Sequence, residues 1–345
     1  MPDKARWAMR DVVIVSSEQG ACMSDSVAAW EQSAPAINWS RLGHVYVVAN
    51  GKGGVGKTTT SAHLGALVAS DGARTLIIDL NGQGNIAQLL GFAHTDHDDQ
   101  GRNLFSAVTA GTPLDPVRNV RPNLDVVPGG QYVRRIGSVL SAEMSNQEDA
   151  KRVLLSLVDC LQAIAGNYHL IIIDTPPENP LLLQIALCAA RFVVVPMKSD
   201  NMSRTGLRDV AKEIRGMREH NPYLMLLAVF VFASGTGSKN IRKELSEGVS
   251  KDLGQNSDLV LKSFVRHSEA VARDVIKFGR LAHELEHEIQ NNPKHWELRR
   301  GTASTSTVVS STSRPVAEDF ARLASEILTR AAKQRAEMIE KGVWP

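Results

Sequence analysis

The chain has 345 residues, with 39 Lys and Arg against 37 Asp and Glu for a net charge of +2. That length can bury a large core and suits one α/β domain of roughly 250 residues with extensions. The near-neutral balance excludes a global polycation, so any nucleic-acid surface has to be local. No apolar stretch reaches the ~20 residues of a membrane span, and the start lacks a basic-then-apolar signal pattern. The three cysteines, Cys22, Cys160 and Cys188, show no metal-ligand spacing, which predicts reduced thiols and cytoplasmic residence.

Residues 1–43 alternate polar and apolar without a sustained period; 24–30 can form a short helix, and the segment reads as an extension. Residues 44–48 (HVYVV) predict a strand and 60–69 an Ala-rich helix. Between them, Gly51-Lys52-Gly53-Gly54-Val55-Gly56-Lys57-Thr58-Thr59 satisfies the phosphate-loop pattern G-x-x-x-x-G-K-[ST] in the strand-to-helix context it needs. Backbone N–H groups from Gly53 to Thr59 would close around phosphate oxygens at a helix N-terminus, whose dipole favours the anion. Lys57 would face the β- and γ-phosphates and Thr58 would place its hydroxyl on Mg²⁺. Further strands are expected at 75–80, 124–127, 170–174, 192–196, 224–232 and 260–265. Helices are expected at 148–165, 181–190, 203–219, 239–253 and 316–339, with Asn146 and Ser203 as N-caps. The strand 170–174 ends in Asp174-Thr175-Pro176-Pro177 and delivers a carboxylate that would hold Mg²⁺ through water.

Continuous apolar strands alternating with helices predict an α/β fold: one P-loop domain whose mostly parallel sheet is covered by helices on both faces. The ligand should sit at the strands' carboxyl ends. The expected organisation is an N-terminal extension (1–43), the P-loop domain (44–290), a Ser/Thr-rich loop or linker (291–315) and a C-terminal helix packing on the domain (316–345).

Lys52 narrows the class. A second cation in a phosphate loop is costly unless another phosphate charge faces it. The run KGGVGKTT resembles the deviant Walker A motif of the ParA/MinD family of ATPases, in which this lysine reaches across a nucleotide-sandwich dimer. Residues 79–85 are similar to the family's switch pattern D-x-D-P-Q-G-N, with Asp79 on the first aspartate and Gln83, Gly84 and Asn85 matching directly. Two positions depart: Gly82 replaces proline, and Asn81 replaces the second aspartate, which in the family positions or activates the attacking water. An amide orients water but cannot accept its proton, which predicts slowed hydrolysis. The other reading is that Asn81 serves only the turn, and that Asp79 or another group acts. Asp174-Thr175-Pro176-Pro177 resembles the family's D-x-P-P. Looser likenesses lie at Val195-Pro196-Met197-Lys198 through Gly206-Leu207 and at Arg266-His267-Ser268-Glu269-Ala270. By resemblance, Lys52, Lys57, Asp79 and Asn81 are the candidate catalytic residues, and Thr58 and Asp174 the metal ligands.

The resemblance implies a ParA-like ATPase for plasmid or chromosome partition. Mg·ATP would close a homodimer that binds double-stranded DNA nonspecifically, and a DNA-bound ParB-like adaptor would stimulate hydrolysis, in a cytoplasmic, nucleoid-associated protein with no membrane partner. Candidate DNA contacts are Lys239, Arg242, Lys243, Arg266, Arg273, Lys277 and Arg280, within a stretch, 239–280, of nine Lys/Arg against six Asp/Glu. A solvated helical face is the plain alternative. A MinD-like membrane-associated ATPase would need a terminal amphipathic helix. Phe320, Leu323, Ile327 and Ala331 share a stripe of the final helix, a spacing that core packing also produces. A slowly hydrolysing nucleotide switch gains weight from Asn81. Iron-protein relatives are disfavoured because no cysteine pair suits a shared cluster, and tyrosine-kinase relatives because no tyrosine cluster ends the chain.

Overall fold

The computed structural model describes residues 37–145, 147–177, 179–198, 201–234, 243, 247–249, 259–293, 300 and 308–345. The chain divides into units of 1–37 and 38–345. The expected helix at 24–30, Cys22, the Asn146 cap, Lys239 and Arg242 lie outside the described residues, as do most of the helix expected at 239–253 and residues 294–299 and 301–307 of the loop expected at 291–315.

Eight strands form one sheet in the order β3-β4-β2-β5-β1-β6-β7-β8. They are β1 (Val45–Val48), β2 (Thr75–Asp79), β3 (Val117–Arg121), β4 (Leu124–Val127), β5 (Leu170–Asp174), β6 (Phe192–Met197), β7 (Met225–Ser234) and β8 (Val260–Arg266). All pairings are parallel except β3 with β4. The three central strands β1, β5 and β2 are buried at every position, which is why they read as unbroken apolar runs. Edge strand β3 (VRNVR) has no such run. It exists because a tight turn through Asn123, at φ 62°, returns the chain so that Arg121 opposes Leu124.

Ten described helices flank the sheet: α1 (Lys57–Ser70), α2 (Asn85–Leu89), α3 (Arg102–Ala110), α4 (Val133–Ser141), α5 (Gln147–Gln162), α6 (Pro180–Ala189), α7 (Asn201–Met217), α8 (Glu269–Phe278), α9 (Ala282–Glu288) and α10 (Ser313–Glu340). Helix α7 starts two residues before Ser203, so Ser203 lies in its first turn and is not its N-cap. Asn179 caps α6 instead, its side chain accepting the Leu182 N–H at 3.2 Å. Helix α5 stops at Gln162, short of the expected 165.

Helix α10 settles the fate of the apolar stripe. Phe320, Leu323, Ile327 and Ala331 are all buried in the main core, against α1, α9, β7 and β8. The stripe is core packing, and no described helix is long and apolar enough to cross a membrane. Buried His63 on α1 joins this seam: its ring stacks on Phe320 with centroids 3.8 Å apart. Its Nε2 accepts the Ala282 N–H at 3.1 Å, so Nδ1 carries the proton and donates to Thr59 O at 2.8 Å. The phosphate-loop helix is thereby fixed to α9 and α10 through one side chain.

Candidate nucleotide site

The loop after β1 is anchored before it turns. Buried Asn50 donates from Nδ2 to Pro196 O at 2.8 Å, and its Oδ1 accepts the Lys52 N–H at 2.9 Å. Gly206 on α7 leaves room for that amide, since a Cβ there would stand 2.2 Å from Asn50 Oδ1. The loop enters α1 through Gly56 at φ +88°, where a Cβ would also meet the Phe232 ring at 2.4 Å. Backbone and space both demand glycine at 56. Around Gly53 and Gly54 the rim is open: a Cβ on either would first meet Pro177 Cβ at 3.8 Å or Lys198 Nζ at 3.9 Å.

Lys57 is 5% exposed, and its Nζ donates to Asn50 O at 3.0 Å and Lys52 O at 2.9 Å. The ammonium is held inside the loop by backbone carbonyls. Lys52 is half-buried at the loop's start, and Val55 is fully buried beneath it. Thr58 and Thr59 open α1, the first hydrogen-bonding forward and the second accepting from His63.

Two carboxylates end neighbouring strands. Asp79 on β2 and Asp174 on β5 are in register and fully buried. Asp174 accepts from Thr58 Oγ1 at 2.7 Å and from Ser61 Oγ at 3.0 Å. Burial pushes its carboxyl up to about 6 against the pull of those hydroxyls. Burial, and then the charge of Asp174, hold Asp79 well above the usual carboxylate range. Asp79 Oδ1 accepts the Asn81 N–H at 2.8 Å and Oδ2 accepts the Ile86 N–H at 3.2 Å, so this carboxylate fastens the following turn and the start of α2.

Asn81 is 7% exposed and lies within that turn. Its Oδ1 accepts the Gln83 N–H at 3.0 Å, while its backbone carbonyl accepts from Gly84 and Gly130 at 3.0 and 3.1 Å. Gly129 must be glycine for the same turn to pack: a Cβ there would lie 2.5 Å from Asn81 O and 2.7 Å from Asp79 Cγ.

These residues fit Mg·ATP. A glycine-lined loop with a buried lysine at a helix N-terminus suits polyphosphate. A threonine hydroxyl 2.7 Å from a buried carboxylate offers the hard oxygen donors Mg²⁺ prefers, while leaving positions for phosphate and water. Gly53, Gly54, Val55, Gly56, Lys57, Thr58 and Thr59 would hold the phosphates, with Thr58 and Asp174 on the metal. Sequence reasoning missed Asn50, Ser61, Gly129 and Gly130. The Gly-Gly pair that follows Pro128 after the strand at 124–127 was the available signal for the last two.

The basic candidates separate. Arg266 binds Asp319 through Nε and Nη2 at 2.6 and 2.9 Å, and Arg280 pairs with Glu288. Both cations have carboxylate partners within the chain. Lys243 lies 3.9 Å from Glu247. Arg273 and Lys277 stand on the exposed face of α8, opposite buried Val271 and Val275.

A family model described as an AAA domain matches residues 43–226, over half of the chain. The chain is 33% identical over 192 residues to the sporulation initiation inhibitor protein Soj of Bacillus subtilis, covering 55% of this chain and 72% of that one. It is 33% identical over 236 residues to the chromosome partitioning protein ParA of Caulobacter vibrioides, covering 66% and 83%. Apo McdA of Cyanothece shares the fold, with a TM-score of 0.60 at 19% identity over 70% of this chain and 93% of that one. The two-lysine loop and its paired strand-end carboxylates lie within the matched residues 43–226, and with relatives such as Soj and ParA the chain belongs to the ParA family of P-loop ATPases.

Proposed function

We propose that this ATPase partitions a plasmid or chromosome: Mg·ATP closes a homodimer, the dimer binds double-stranded DNA nonspecifically, and a ParB-like adaptor stimulates hydrolysis and release. The observation that carries this reading is Lys52, a second loop lysine whose charge calls for a further phosphate, in a chain whose relatives include chromosome partitioning proteins. The protein would reside in the cytoplasm on the nucleoid. Arg273 and Lys277 are the DNA-binding residues we assign, because they are exposed on one helical face; Lys243 is a third, being exposed with Glu247 at 3.9 Å.

The test is DNA binding with no nucleotide, ADP, ATP and a nonhydrolysable analogue, each titrated with salt. Binding should require ATP or the analogue and show little sequence preference, since backbone contacts release counterions but read no bases. Arg273→Ala with Lys277→Ala should lower the log–log salt slope by roughly 0.9 for each phosphate that a protomer no longer neutralises. Equal binding in all nucleotide states, or an unchanged slope, counts against the reading.

Slow turnover is part of this proposal. The amide oxygen of Asn81 is committed to Gln83 N–H and cannot take a proton from water. Asn81→Asp keeps an acceptor for that turn bond and adds a base, so the single-turnover rate should rise roughly tenfold or more. Equal rates would assign Asn81 to the turn alone.

A further inference from the structure

Gly82 lies in the turn between β2 and α2, yet it is not among the residues at positive φ, so its backbone does not call for glycine. Space does. A Cβ built on Gly82 would stand 2.2 Å from Arg134 Cγ and 3.2 Å from both its Cδ and Nε. Arg134, near the start of α4, lays its stem where that Cβ would be, and its Nε–H donates to Gly82 O at 2.7 Å.

The turn at 81–84 is thus held from three directions. Asp79 Oδ1 takes the Asn81 N–H, and Asn81 O takes the Gly84 and Gly130 N–H groups. Arg134 holds Gly82 O. The first two sets are buried or backbone, and belong to the fold of the strand ends. The third comes from an exposed side chain on a separate helix. It fastens the turn that carries Asn81 and follows Asp79, so its effect should fall on turnover more than on folding.

We propose that Arg134 is a positioning residue of the ATPase, clamping the turn at 81–84 through the Gly82 carbonyl, and that position 82 is glycine because the Arg134 stem occupies the place of its Cβ. The proposal rests on the ATPase activity of the family and is independent of DNA binding. It makes the two residues one device. Because the clashing atoms belong to a long exposed side chain, Gly82→Ala expels Arg134 and leaves the backbone in place, breaking the same hydrogen bond that Arg134→Ala removes.

The experiment is a double-variant comparison of Gly82→Ala, Arg134→Ala and both together, in the full chain. Each single variant should lower kcat roughly 3- to 10-fold, the range for one hydrogen bond that helps organise the transition state, with KM within about twofold of wild type. The double variant should match the more impaired single variant, because a hydrogen bond already broken cannot be broken again. Arg134→Lys, which keeps a cation but lacks the Nε–H at that depth, should behave as Arg134→Ala. Amide exchange gives a readout independent of turnover: the Gly84 and Gly130 N–H groups should exchange roughly 3- to 10-fold faster in all these variants, while denaturation midpoints stay near wild type. An unchanged or raised kcat with unchanged exchange in Arg134→Ala overturns the proposal. So does a double variant whose defects multiply, or an Arg134→Lys variant with wild-type kcat and exchange. Absence of ATP hydrolysis in the wild type would instead strike the ATPase reading, and the exchange measurement would still decide the clamp.

Discussion

Replacing Lys57 by alanine is expected to weaken Mg·ATP binding by roughly 100-fold, about 3 kcal/mol, the upper range for hydrogen bonds made by a charged donor. The ligand-free protein shows why the loss should be that large. Lys57 Nζ is already held by Asn50 O and Lys52 O, and the side chain is 5% exposed. Little rotamer entropy remains to be lost when phosphate arrives. The same bonds mean that alanine also leaves the buried carbonyl of Asn50 without this donor, so a stability loss of about 1 kcal/mol should accompany the binding defect. Titration of a fluorescent ATP analogue with Mg²⁺, alongside a denaturation curve, separates the two effects. Lys52→Ala is the informative control, because a lysine acting on a second protomer's phosphates should leave monomer affinity within a few-fold of wild type. A Lys57→Ala protein that binds within threefold of wild type would remove the phosphate-loop assignment.

How far the sequence reading reached depended on whether the cause of each feature was local. The runs at 75–79 and 170–174 are buried on both faces, so their apolar character alone marks them as central parallel strands. The loop at 51–59 was readable for a related reason: its glycines and lysines serve their own backbone. Strand β3 was not, because it is a partly exposed edge whose existence depends on the turn at Asn123. Asn81 illustrates a half-legible case. Its departure from the family pattern is visible in the sequence, but the bond its carbonyl accepts from Gly130 depends on a Gly-Gly segment more than forty residues away. The basic stretch at 239–280 was the least legible. Counting charges says nothing about which are already paired, and the carboxylate that claims Arg266 lies 53 positions downstream.

That pairing leads to the second large expected effect, the loss of about 2–4 kcal/mol of stability in Arg266→Ala, close to the range for removing one partner of a buried ion pair. Asp319 is 1% exposed and accepts from Arg266 N, Nε and Nη2 at 3.0, 2.6 and 2.9 Å. Burial alone would raise its carboxyl, but the hydrogen bonds from Arg266 and Arg322 more than reverse this and hold it below its ordinary value. Arg266 is raised by the same pairing. A carboxyl depressed in the folded state contributes stability that is present above its unfolded value near 3.9 and is lost as pH falls through the folded value. Acidification should therefore narrow the gap between wild type and Arg266→Ala, while neutral pH shows it in full. The carboxylate also covers the edge of β8 through the Arg266 N–H, so Asp319→Ala leaves that donor to solvent and should destabilise as well. Their combined loss should fall short of the sum by roughly 1–3 kcal/mol, because the two variants remove the same interaction and the double variant leaves no buried carboxylate short of a donor. Chemical denaturation of wild type and the three variants at pH 7 and at about pH 3, below the unfolded carboxyl value, supplies the cycle. An Arg266→Ala protein as stable as wild type at pH 7, with reduced salt-dependent DNA affinity, would return Arg266 to the DNA surface and make Asp319 a dispensable neighbour.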